Sequence, residues 1–238
     1  MGRREKLEKV EFEKGIGAIR EKRYAEAERR FTRALRIHPG YHDALQRRAF
    51  VREERGRLKE AAADYRSSLA RFPRCRWCLE AAADLQVKLN RHRVALGLYD
   101  RAIRVDPRNA NFHYYRGYIR MFLGRYRAAI ADFTRVVPNR NLGMIALVGR
   151  AQAKALLGQL RSALKDFDRA IRMRSGVREH YFFRGITRFM TKDTVGARED
   201  FLAAGLSRVK IARLTRSRDE FRTLLRSGTA GRWLTAVR

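Results

Sequence analysis

Acidic residues are scarce in this chain of 238 residues, where 25 Asp and Glu stand against 55 Lys and Arg for a formal net charge of +30. Between Pro107 and Arg178 the only acids are Asp132, Asp166 and Asp168. Cysteine occurs twice, in one CxxC without a thioredoxin-like strand pattern around it, and two cysteines alone cannot close a four-ligand zinc site. Four prolines and the absence of a Gly/Ser linker predict one continuous domain over residues 1–238. No apolar run approaches a membrane span, so no integral membrane contact is expected. The segment Met1 to Lys6 lacks the apolar stretch of a secretory signal, and Glu5, Glu8, Glu11 and Glu13 argue against a transit peptide. The cytoplasm is the default address, with nuclear and organellar addresses left open. No glycine-rich phosphate loop occurs, and no nucleophile recurs beside an oriented base. The five histidines are scattered. These absences point to a non-catalytic protein without cofactor or small-molecule substrate.

What is present is a period of 34 residues. Ala27, Ala61, Ala95, Ala129, Ala163 and Ala197 follow one another at that spacing without a gap. Four residues after each stands an aromatic: Phe31, Tyr65, Tyr99, Phe133, Phe167 and Phe201. Twelve residues before each stands Gly or Ala: Gly15, Ala49, Ala83, Gly117, Ala151 and Gly185. Three columns in one register describe a helical hairpin that buries its apolar face only by stacking on copies of itself. The small residues mark helix crossings, and the aromatic one turn on fills the space between neighbours.

Pro39, Pro73 and Pro107 each lie twelve residues past an anchor alanine, where a missing amide donor ends the second helix; Pro138 comes early. Gly56, Asn90, Gly124 and Gly158 mark the turn between the two helices. In these columns the chain resembles the tetratricopeptide repeat family over roughly residues 8 to 211. The resemblance implies an all-α, right-handed α-solenoid with repeats at 8–41, 42–75, 76–109, 110–143, 144–177 and 178–211. It is to be followed by a capping helix and tail over 212–238. Ser217-Arg218-Asp219-Glu220 reads as a capping box opening that helix, Gly228 as its stop, and Phe221, Leu224 and Leu225 as its packed face. Trp233 and Leu234 belong to a tail that either packs or binds a partner.

Comparison of the repeats with one another adds a pair of columns. Arg48, Arg116, Arg150 and Arg184 stand thirteen residues before their anchors, and Asp64, Asp132, Asp166 and Asp200 stand three residues after. The two repeats that lack one column lack the other, which predicts a structural ion pair within each hairpin, since one partner buried alone would be costly. The remaining arginines concentrate in the acid-poor half, and Arg120, Arg125, Arg127, Arg135, Arg140, Lys154, Arg161 and Arg188 are expected to form a basic surface.

The resemblance also implies that the first helix of each hairpin lines a groove. Phe12, Ile16, Phe50, Trp77, Tyr114, Tyr118, Met121, Phe122, Phe182, Ile186 and Phe189 are the groove residues expected to meet a partner, although some residues at this spacing must serve as core. The expected function is a protein-interaction scaffold for an amphipathic or acidic segment of protein or peptide. The alternative is a ribonucleoprotein component whose arginines meet RNA backbone. Cys75 and Cys78 lie one turn from His38 and His42, so a Cys2His2 site across adjacent turns is conceivable, but Cys78 also suits helix packing and no metal is assigned.

Overall fold

The computed structural model describes residues 3–215 and 218–227, and every regular element among them is helical. The expected capping-box residue Ser217, the expected stop Gly228 and the tail residues Trp233 and Leu234 lie outside the described residues. Two compact units divide between Arg108 and Asn109, one residue from the expected border of the third and fourth repeats.

The first unit contains α1 (Arg3–Arg20), α2 (Tyr24–Ile37), α3 (His42–Glu54), α4 (Leu58–Arg71), α5 (Arg76–Lys88) and α6 (His92–Val105). The second contains α7 (Ala110–Phe122), α8 (Tyr126–Val136), α9 (Gly143–Leu156), α10 (Leu160–Met173), α11 (Arg178–Met190) and α12 (Thr194–Ala203), then α13 (Arg208–Leu214) and α14 (Arg218–Ser227). Each unit is a stretch of α-solenoid: three hairpins, each packed on the next, with odd-numbered helices first and even-numbered helices second.

The turns repeat as strictly as the alanines. Lys22, Gly56, Asn90, Gly124, Gly158 and Lys192, all 34 apart, have positive φ between 57° and 85°. Each lets the next amide reach back five residues, as Arg125 does to the Arg120 carbonyl at 2.8 Å while Gly124 reaches Met121 at 3.0 Å. This double bond satisfies carbonyls at the end of the first helix and reverses the chain toward the second. The second helices α2, α4, α6 and α8 all stop two residues before a proline, at Ile37, Arg71, Val105 and Val136. Pro138 sits early, so α8 is cut to 11 residues and α9 begins one residue ahead of the 34-residue register.

All six anchor alanines are buried, at 0–1 % exposure, and the aromatic column lies at 0–4 %. The small column is what admits those rings. A Cβ on Gly15 would stand 2.6 Å from the Phe31 ring, and one on Gly117 or Gly185 would stand 2.9 Å from Phe133 or Phe201. Beyond the sixth hairpin, α13 packs on α12 and buries Ile211 and Leu214. Helix α14 then lies against α9, with contacts to α7 and α11.

Candidate functional site: ion-pair ladders and first-helix faces

Two features repeat on the first helices, one facing inward to the hairpin and one facing outward. Inside, Arg48 donates through Nε and Nη2 to Asp64 at 2.9 and 2.7 Å. Arg116 does the same to Asp132 at 3.0 and 2.6 Å, Arg150 to Asp166 at 2.8 and 2.7 Å, and Arg184 to Asp200 at 2.9 and 2.6 Å. Each is a two-pronged bond joining the two helices of one hairpin, the geometry that a planar guanidinium offers a carboxylate.

A second cation, one helical turn after each arginine, shares the aspartate. Arg52 reaches Asp64 at 2.8 Å, Arg120 reaches Asp132 at 2.7 Å, Lys154 reaches Asp166 at 2.7 Å and Arg188 reaches Asp200 at 3.2 Å. Sequence reasoning missed this column, although it stands nine residues before the same four anchors and nowhere else in the array. It also removes Arg120, Lys154 and Arg188 from the outward basic surface, because each is bonded to a buried carboxylate. Arg125, Arg127, Arg135, Arg140 and Arg161 are exposed.

The arginine column also ties repeats together. Arg48 reaches the Thr32 hydroxyl at 3.3 Å, Arg150 reaches Thr134 at 3.4 Å and Arg184 reaches Asp168 at 2.7 Å, each on the second helix of the preceding hairpin. Contact with two carboxylates holds the Arg184 guanidinium well above its ordinary range. In the third hairpin, which has neither partner of the pair, the Tyr99 hydroxyl donates to Asp84 instead.

In the first unit, burial would by itself raise the Glu28 carboxyl. The hydrogen bond from Arg52 and the charges of Arg57, Arg52 and Arg55 more than offset this and hold it below the usual carboxylate range. On α5, burial pushes Glu80 and Asp84 upward, and Asp84 adds to the shift of Glu80.

The outward side of the first helices differs between the units. In the first, Phe50 and Trp77 are exposed at 39 % and 47 %. Phe12 is half-buried against Phe31 and Tyr41 at 5.6 and 5.1 Å, and Ile16 is half-buried in the same cluster. Phe12, Asp43, Gln46, Arg47 and Trp77 line a cavity of about 510 Å³. In the second unit, Tyr114 and Tyr118 are half-buried and stack edge to face at 5.0 Å, with Tyr118 also 5.0 Å from Phe133. Met121, Phe182 and Ile186 are fully buried and offer no surface. Met121 joins Ala129, Phe133 and Val136 in the core, and Phe182 and Ile186 join Phe201 and α14.

Helix α14 accounts for much of that burial. Its Phe221 meets Phe189 edge to face at 5.1 Å, and Phe221, Leu224 and Leu225 are buried. Arg226 donates through Nε to the Phe122 carbonyl at 2.8 Å and lies 5.4 Å over the Phe122 ring. The expected capping helix thus packs with the expected residues, but across three first helices, while α13 covers the end of the array.

The tetratricopeptide repeat model matches residues 12–74, 80–143 and 148–208. The chain belongs to the tetratricopeptide repeat family. No curated protein matches it. A tetratricopeptide repeat protein from Parabacteroides merdae ATCC 43184 is 21 % identical over 92 % of this chain and 91 % of its own, with a TM-score of 0.77. YrrB, described as a TPR protein with an unusual peptide-binding site, is 20 % identical over 73 % of this chain and 90 % of its own, with a TM-score of 0.62. MamA from Desulfovibrio magneticus RS-1 is 17 % identical over 75 % of this chain and 97 % of its own, with a TM-score of 0.64. At these identities the likeness is one of fold. No described helix of this tetratricopeptide repeat chain is long and apolar enough to cross a membrane.

Proposed function

We propose that this tetratricopeptide repeat chain is a non-catalytic interaction scaffold whose first-helix faces receive an amphipathic helix from a protein partner. The seating of α14 across α7, α9 and α11 carries the reading. It is an amphipathic helix held by Phe221, Leu224 and Leu225, with an arginine anchoring its end. The equivalent face of the first unit, on α1, α3 and α5, has Phe50 and Trp77 exposed, and Trp77 lines a cavity of about 510 Å³. Aromatic side chains exposed beside a concavity are the usual anchors of a helix laid in a groove. The peptide-binding site named for YrrB lies on the same fold and supports the same class of partner.

The exposed arginines Arg125, Arg127, Arg135, Arg140 and Arg161 steer acidic segments of such a partner. The RNA reading draws on the same five and on the exposed Arg169, Arg172 and Arg174, but not on Arg120, Lys154 and Arg188, which are bonded to aspartates. Capture from nuclease-treated and untreated lysate tests the two together. The scaffold reading expects a protein retained after nuclease treatment and lost from the Phe50→Ala, Trp77→Ala double variant at unchanged helicity. Capture that vanishes with nuclease, together with affinity for generic RNA that falls steeply with salt, would replace it with the RNA reading.

A further inference from the structure

The cysteines that flank Trp77, Cys75 and Cys78, have no part in the scaffold reading, yet they sit in a built polar pocket. Cys75 is the N-cap of α5, and Cys78 lies three residues into the helix. They are joined as a disulfide. Cys78 is fully buried and Cys75 is half-buried. The ligand atoms of His42, Cys75 and Cys78 all lie within 4.8 Å of one another, with the imidazole Nε2 3.7 Å from the Cys78 sulfur. Two tetrahedral zinc ligands, one nitrogen and one sulfur at their ordinary bond lengths, stand about 3.6 Å apart.

The imidazole is oriented as a ligand. The buried Gln46 side-chain amide stands between the imidazole and the sulfurs, against His42 Nε2, 2.8 Å from the Cys78 sulfur and 3.6 Å from the Cys75 sulfur, so an ion enters only as this side chain swings aside. With Nδ1 hydrogen-bonded to the Ser68 hydroxyl at 2.9 Å, Nε2 is the ring nitrogen turned toward the Cys78 sulfur. Ser68 is itself fully buried, and its hydroxyl lies 3.9 Å from the Cys78 sulfur. A ring whose distal nitrogen is fixed by a buried partner while the other faces two sulfurs has the outer-shell arrangement of metal-bound histidine. Phe72, at 4.1 Å between ring centres, packs against the same imidazole. His38, the other histidine of the turn, is directed elsewhere, 3.2 Å from Glu8.

We propose that, in the dithiol state, His42, Cys75 and Cys78 bind one Zn2+ with water in the fourth position, and that the Cys75–Cys78 disulfide closes the site. Opening it consumes two electrons and two protons to give two thiols. Zinc then displaces both thiol protons. In the test a water-soluble phosphine supplies the electrons and leaves as the phosphine oxide.

The full-length chain, reduced in this way and freed of phosphine without air, is titrated with Zn2+ and separately with Co2+. One ion per chain is expected, together with the visible bands of tetrahedral cobalt and thiolate-to-cobalt charge transfer in the near ultraviolet. Ser68→Ala is expected to lower zinc affinity by about 10–100-fold through loss of the imidazole's orientation. His42→Ala should lower it at least as much, with the far-ultraviolet dichroism unchanged. If His42→Ala fails to fold, Ser68→Ala and the wild-type cobalt spectrum decide. No stoichiometric uptake by the reduced chain, equal uptake by the disulfide form, or affinity indifferent to both substitutions would overturn the site.

Discussion

Each ladder aspartate bonds two cations from a nearly dry position, with side-chain exposures of only 2–9 %. The balance is asymmetric: the complete set costs little, but removing one member leaves the others charged and desolvated. Asp132→Ala takes from Arg116 and Arg120, whose side chains are 14 % and 20 % exposed, the buried carboxylate that they share. It should lower unfolding free energy by about 3–5 kcal/mol in urea titration. The turn positions give the opposite sign. Lys192 has φ of 68° where Gly124 and Gly158 stand in equivalent turns, so Lys192→Gly relieves left-handed strain and should stabilise by about 1 kcal/mol on the same assay. Glu28 sets a pH dependence. Its folded carboxyl binds a proton less readily than the unfolded one, whose ordinary value is 4.5. Its contribution is therefore complete above that value and lost as pH falls through the lower folded value. Glu28→Gln should flatten this part of the stability profile measured by acid titration.

At the scale of elements, the helices and their borders were legible because packing at a fixed period leaves marks in sequence. Small residues had to stand at crossings, prolines had to stop second helices, and a residue tolerant of positive φ had to stand in each turn. The aspartate–arginine pairs were legible for the same reason, as columns lost together. The second cation was equally periodic, but lysine and arginine are so abundant that its column did not stand out by residue type. Met121, Phe182 and Ile186 fall among the expected groove residues because helical spacing does not tell which side of an apolar stripe the next helix covers. The place of α14 was not legible either, since amphipathicity states that a helix packs and not on what. Leu225→Asp puts an unpaired charge into that contact. It should release α14 while α7 to α12 stay folded, so hydrogen exchange would rise across residues 218–227 and remain slow at Phe133 and Phe167.

Across the whole molecule, charge of one sign acts against compaction. A formal +30 on 238 residues places many exposed arginines within a screening length of one another, and their repulsion is relieved when the chain expands. The ladder pairs pull the other way, but they are largely withdrawn from water and therefore weakly screened. Salt acts chiefly on the unbalanced outer charges. Raising ionic strength from about 0.01 to 0.15 M, which shortens the screening length from about 30 to 8 Å, should raise the melting temperature in a thermal scan. The same shift should survive in the Asp132→Ala variant, because the lost pair lies inside the hairpin and the repulsion outside it. A melting temperature that falls with salt would mean that exposed pairs, and not net repulsion, dominate the surface electrostatics.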